Sequence, residues 1–390
     1  MNFTKTLLLT IMFLVSVNAL ALDKKTLEKF SQYDNNSEFV IIYDDVEAIL
    51  KASVLYMGNS TRQKAKKSKA SIGTRFRNKV KALTDLEGNR FHYEAFDTPE
   101  KIQLMTNVRK SLESLPSNSP LHFFSKDEQL AYWLNLYNVS LLEQLLLIYP
   151  RRNLESLTEK GQLFDQKNLL VDNEKLSLND IKSIVIHNFG YDPLLIYGFH
   201  QGYIASPDIR REPYTGKRVW KILERNANLF INSNRGTFSD GSKTFRVSKL
   251  YEQNKAFFKD FDEDLRDHLK KYLNRSYKSK LLATDEIKTN TTNWKIADLY
   301  GTERKYGGSV STSSAALIDA FVAKGPDGIK ENVSFTNSGY MNSNITNFSP
   351  LKGRFSEAQI QKMKTMMKLQ EIRKGTVTIT DEEENESQEK

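Results

Sequence analysis

The chain of 390 residues contains no cysteine. That excludes a thiol nucleophile, a thiolate metal site, a disulfide and a lipidated N-terminal cysteine. Histidine is scarce as well. His92, His122, His187, His200 and His268 are the only five, and none stands in an HxH or HxxxH spacing. No metal or other cofactor is therefore expected. There is no GxSxG elbow and no phosphate-binding glycine loop. The stretch "YGGSVSTSS" (306–314) lacks the lysine that should follow and reads as a loop capping a helix at Ser313. The longest apolar run, "LLLTIMFLVSV" (7–17), falls short of the roughly 20 residues a bilayer span needs.

That short run has the flanks of a signal peptide. Lys5 precedes it, and "ALA" (19–21) follows with the small-x-small cleavage pattern. A signal peptide over 1–21 and a mature chain from Leu22 are expected, hence a soluble protein exported to the periplasm or beyond the cell. Without disulfides, an exported chain relies on its core for stability.

Acidic residues are missing from one long stretch. "TRQKAKKSKASIGTRFRNKVK" carries Arg62, Lys64, Lys66, Lys67, Lys69, Arg75, Arg77, Lys79 and Lys81 with no Asp or Glu among them. The formal charge of the whole chain is +9. Setting aside Lys5 and the tail 381–390, whose six acids and one lysine give −5, leaves about +13 on residues 22–380. Such a body attracts anions. In an exported protein the expected partners are anionic lipid headgroups or an acidic polysaccharide, contacted through Lys66 and Lys67, and not nucleic acid. A plain solvated face is the competing reading of the same charges.

The expected division is a helical segment over 22–60, a basic segment over 61–88, a main domain over 89–350, a helix within 351–380 and an acidic tail over 381–390. The pattern predicts helices near Val46–Val54, Pro99–Leu115 with Thr98 as cap, Leu178–Phe189, Lys217–Ile231, Glu263–Leu273, Ser313–Ala323 and Ser356–Ile372. Strands are expected at Arg90–Phe96, Leu194–His200, Thr244–Val247 and Asn332–Thr336. The fold class is α+β: one helix-rich domain with a small central sheet and a buried central helix over 126–149.

That helix is the clearest element. In "SKDEQLAYWLNLYNVSLLEQLLLIYP", Ser125 and Glu128 have capping-box spacing, and Pro150 ends the run. Between them the helix is apolar on nearly every face, so it belongs inside. Trp133 and Tyr137 lie one turn apart on one side, Asn135 and Asn138 on another. Buried asparagines must find partners. These two either tie down neighbouring backbone or line a polar cavity.

"LAYWLNLYN" closely resembles the signature of the domain of unknown function 547 family. The segments "KLSLNDIKSIVI", "DPLLIYGFHQGYIASP", "EPYTGKRVWKILERNANLFINS" and "VSKLYEQNKAFFKDF" follow in the family's order, covering roughly residues 95–275. The departures are chemical. Gln201 and Ser206 stand where the family carries cysteines, His200 replaces an asparagine, and Lys182 and Ser183 replace a glutamate and a histidine. Asp192, Pro193, Gly202 and Pro207, which shape the backbone, are retained. If the family's two cysteines form a clip, their joint loss is what such a pair predicts.

Two functional classes follow. In one, the fold is a binding or scaffold surface of the bacterial envelope, with Gln201, Asn135, Asn138, Trp133 and Tyr137 at its polar centre and the basic stretch drawing an anionic ligand. In the other, Ser206 is a hydrolase or acyl-transfer nucleophile, His200 its base and Asp192 or Asp208 the orienting carboxylate. His187 is a second candidate base. Ser206 also precedes a proline, where a turn residue fits equally well.

Overall fold

The computed structural model describes residues 22–62, 83–84, 87–239, 244–298 and 353–375. The expected signal segment, Lys66 and Lys67 with most of the basic stretch, the helix expected at Ser313–Ala323, the strand expected at Asn332–Thr336 and the acidic tail lie outside them.

The architecture is α+β and rich in helix. Helices α1 (Lys24–Lys29) and α2 (Asp44–Ser53) lead into strand β1 (Val54–Leu55), which pairs antiparallel with β2 (Arg90–Phe91). Helices α3 (Pro99–Glu113) and α4 (Leu115–Asn118) follow, then the long α5 (Lys126–Ile148) and the short α6 (Glu155–Glu159). The antiparallel pair β3 (Leu169–Val171) and β4 (Glu174–Leu176) precedes α7 (Leu178–Phe189) and α8 (Val219–Ile231). Next come β5 (Thr237–Phe238) and β6 (Thr244–Ser248), then α9 (Lys249–Gln253), α10 (Phe261–Tyr272), α11 (Arg275–Leu282) and β7 (Glu286–Thr291). The helix α12 (Glu357–Gly375) comes last. Strand β6 is antiparallel to β5 and parallel to β7. The parallel pair needs a long crossover, and α9 to α11 supply it.

Residues 126–148 form a helix because a cap opens it and nothing in its interior breaks it. The Ser125 hydroxyl accepts from Glu128 N–H at 3.3 Å. The other half of the expected capping box is absent. The Glu128 carboxylate instead accepts from Ile41 N–H at 2.9 Å and Gly216 N–H at 3.0 Å, joining two distant segments. Tyr149, ahead of a proline, leaves the helix in extended conformation. Leu130, Trp133, Leu134, Leu136, Tyr137 and Leu141 are fully buried, each large apolar side chain contributing about 1.5–3 kcal/mol by leaving water. Around α5 pack α3, α7, α8 and the turn at Gly216–Arg218.

Helix α7 carries the full reciprocal box: Ser177 Oγ accepts from Asp180 N–H at 3.0 Å, and Asp180 Oδ2 accepts from Ser177 N–H at 2.8 Å. Thr98 does stand at the start of α3, but its hydroxyl makes no cap bond. The strand expected at Arg90–Phe96 is short. Only Arg90 and Phe91 pair, and a 3-10 turn takes over at Tyr93–Ala95.

The segment expected as a strand at Leu194–His200 is instead a 3-10 helix over Pro193–Gly198. Asp192 Oδ1 accepts from Leu194 N–H at 2.8 Å and Pro193 occupies the first helical position, both signals that start a helix. A buried apolar run satisfies either geometry, and the cap decides. Gly198 lets this turn touch α5, since a Cβ there would lie 2.5 Å from a Leu134 methyl.

Candidate functional site

The turn from Gly198 to Asp208 is held from every side. From α5, Asn138 Nδ2 donates to Gly198 O at 2.8 Å while its Oδ1 accepts from His200 N–H at 3.2 Å. One turn up the same helix, Asn135 grips Tyr214 by both backbone groups: Nδ2 donates to Tyr214 O and Oδ1 accepts from Tyr214 N–H, each at 2.8 Å. Both asparagines are thus committed to backbone. Gly202 adopts φ +83°, and a Cβ there would meet a Leu145 methyl at 2.5 Å. Beyond it, Ile204 N–H donates to Lys295 O and Ala205 N–H to Asn293 O.

His200 and Ser206 meet inside this turn, 2 % and 0 % exposed. Ser206 Oγ and His200 Nδ1 are 3.2 Å apart. The protons, however, are already placed. His200 Nδ1 lies 2.6 Å from Pro207 O. A carbonyl oxygen can only accept, so Nδ1 carries the hydrogen. Ser206 Oγ donates to Tyr203 O at 2.7 Å and accepts from Gln201 N–H at 3.3 Å. The nitrogen facing the serine therefore has no lone pair to take a proton. Burial holds the His200 imidazole down to about 4, against the opposing pull of the Pro207 carbonyl and Asp208. It is neutral at pH 7, with Nε2 buried and unpartnered.

Asp192 is not part of this pair, because its carboxylate caps the 3-10 helix at Leu194. Asp208 belongs to a different arrangement. Asp208 Oδ1 accepts from Asn89 N–H at 2.8 Å and lies 3.1 Å from Arg235 Nη2. Arg235 is the buried hub that sequence patterns do not signal: Nη1 donates to Ser206 O at 2.7 Å and Ile204 O at 3.2 Å. Its own backbone N–H and that of Asn234 donate to the Glu87 carboxylate, both at 3.1 Å. An arginine in a polar loop after a helix reads as surface, and only tertiary structure turns it inward.

Trp133 and Tyr137 are fully buried and pack edge-on against aromatic rings, Trp133 on Phe30 at 5.1 Å and Tyr137 on Phe199 at 4.8 Å. Neither the indole N–H nor the Tyr137 hydroxyl finds a partner. The Gln201 Nε2 is likewise buried and unpaired. Near Tyr137 lies Lys182, on α7. Its ammonium sits 5.3 Å from the Phe164 ring centroid, 5.7 Å from Tyr137 and 6.0 Å from Phe199, and donates to Asn254 Oδ1 at 3.3 Å. Burial brings this amine down to about 7, with distant Asp165 opposing. His187, the other candidate base, is exposed on α7.

Two concavities border this region. One is lined by Asn135, Asn138, Asp208, Arg210, Glu212 and Tyr214 among others, the second by Ser60, Glu87, Gly88, Asp208, Ser233 and Arg235 among others. Each has a volume of about 10 Å³, room for roughly one water. Neither is lined by Ser206 or His200. No group of three His, Asp or Glu side chains converges as a metal site among the described residues, and no described helix is long and apolar enough to cross a membrane.

No curated protein and no solved structure matches the chain. Residues 121–231, which run from the turn before α5 through the Gly198–Asp208 turn to the end of α8, match the family model described as "Protein of unknown function, DUF547".

Proposed function

We propose that this protein is a binding or scaffold module of the bacterial envelope, exported by its N-terminal segment, that recognises an anionic or polymeric ligand without catalysing a reaction on it. The observation that carries the reading is the proton placement in the Gly198–Asp208 turn. Ser206 and His200 spend their hydrogens on the carbonyls of Tyr203 and Pro207, so both act as turn-shaping residues. The net charge of +9 supports an anionic ligand. A serine hydrolase is the competing reading, and the 3.2 Å between Ser206 Oγ and His200 Nδ1 favours it. It requires the other tautomer, which would set a nitrogen lone pair against Pro207 O at 2.6 Å, and a route for substrate to a buried hydroxyl.

A serine-reactive fluorophosphonate separates the two. The wild-type protein is expected to remain unlabelled, and the purified protein to bind anionic envelope polymers or lipids in a salt-sensitive manner. Labelling of wild type that disappears in Ser206→Ala would establish the hydrolase instead.

A further inference from the structure

We infer that the outer face of α11, formed by Arg275, Lys278 and Leu282, docks on the surface of an anionic lipid bilayer. The inference rests on the anionic-ligand reading above and names its partner. Residues 275, 278, 279 and 282 recur at the i, i+3, i+4, i+7 spacing that defines one helical face, and all four are exposed. Leu282 is 61 % exposed. No acidic residue occurs between His268 and Thr284. Lys270 is neutralised by Asp267 at 2.8 Å, whereas Arg275 and Lys278 have no carboxylate partner among the described residues. Lys271 adds a further exposed cation at the end of α10, its charged form favoured first by the neighbouring Tyr272 and then by Glu224 and Asp192.

The opposite face of α11 is anchored, so the outer one is presented in a fixed attitude. Leu281 is buried, and the Arg62 guanidinium stacks on the Tyr277 ring at 3.6 Å while donating to Thr237 O at 2.6 Å. Asn274 caps α11 by accepting from Tyr277 N–H at 3.0 Å. Asn232 fixes the corner before it, donating to Tyr272 O and accepting from Asn274 N–H, both at 2.9 Å. Two unpaired cations in line with an exposed leucine match a headgroup layer, where phosphates meet the charges and the leucine leaves water among glycerol and acyl carbons. A hydrated polysaccharide would offer Leu282 nothing.

The test uses the mature chain and phosphatidylcholine vesicles with or without phosphatidylglycerol. Binding is expected only with phosphatidylglycerol present. The R275E/K278E variant should weaken it about 25-fold or more, near fivefold for each cation removed. L282N should weaken it several-fold at unchanged charge. Unaltered affinity in both variants, or loss only in K66E/K67E, would overturn the placement on α11 and leave the anionic-ligand reading standing. Binding to soluble alginate but not to the vesicles would overturn the lipid partner alone. Binding to neither would overturn this inference and the proposed function together.

Discussion

Ser206, His200 and Arg235 form one hydrogen-bonded unit, and substitutions within it act on stability. Ser206→Ala deletes a buried donor to Tyr203 O and an acceptor for Gln201 N–H. The expected cost is about 1–3 kcal/mol, read as a lower urea midpoint. An unchanged midpoint would mean that the hydroxyl holds nothing. Arg235→Met should cost more, about 3–5 kcal/mol, because it strands the Asp208 carboxylate in the interior beside two orphaned carbonyls. Lys182 reverses the sign. Its ammonium lies among three rings with one amide acceptor, so Lys182→Met should leave Tm unchanged or raise it at pH 6. The amine titrates near 7 when folded and near 10.4 when unfolded. Between those values the unfolded chain holds the extra proton, so wild-type stability rises with pH across that window and the Met variant loses the slope. Urea titrations at pH 6, 8 and 9 measure it.

At the level of elements, α5 organises the candidate site through its two asparagines. Asn138→Ala removes the donor to Gly198 O and the acceptor for His200 N–H together. It should destabilise by about 2–4 kcal/mol, the orphaned partners being buried, and circular dichroism with urea unfolding will report it. Gly202→Ala should fail for a backbone reason, its φ of +83° and the Leu145 methyl leaving no place for a Cβ. Helix α5 was legible in the sequence because Ser125 is a local signal that acts within one turn, and α7 because its apolar residues recur at helical spacing. The 3-10 segment after Asp192 was not, although its cap and proline were in view: the apolar run behind them suits a strand equally well. Arg235 was invisible for a different reason, since its partners come from segments up to 148 residues away. The family-model match over residues 121–231 reaches the turn but not Glu87, Asn89 or Arg235, which hold it.

For the whole molecule, the buried histidines make acid the weak side. Burial holds His92 and His200 down to about 4 and His268 to about 3. An exposed imidazole titrates near 6.5. Below that value the unfolded chain takes up protons the native one refuses, so this part of the stability is present above pH 6.5 and is lost as pH falls toward 4. The urea midpoint should drop steeply between pH 6.5 and 4. A flat profile would show that the imidazoles are solvated in solution.

The C-terminal region is fastened to the beginning of the chain by several polar contacts, Gln359 to Val40 O and Lys362 to Glu38 among them, and Arg354 makes the most buried. Arg354 meets the buried Asp45 carboxylate through two nitrogens, at 2.5 and 2.6 Å, and its backbone carbonyl accepts from Ile42 N–H at 2.8 Å. The two side chains are 309 positions apart. At a synthesis rate of about 5–20 residues per second, Asp45 leaves the ribosome roughly 15–60 s before its partner is made. During that interval the carboxylate must stay in water, and α2 cannot seat fully against the rest. The last residue to arrive decides when the first helices settle, and a nascent chain stalled short of Arg354 should be open at both ends to protease.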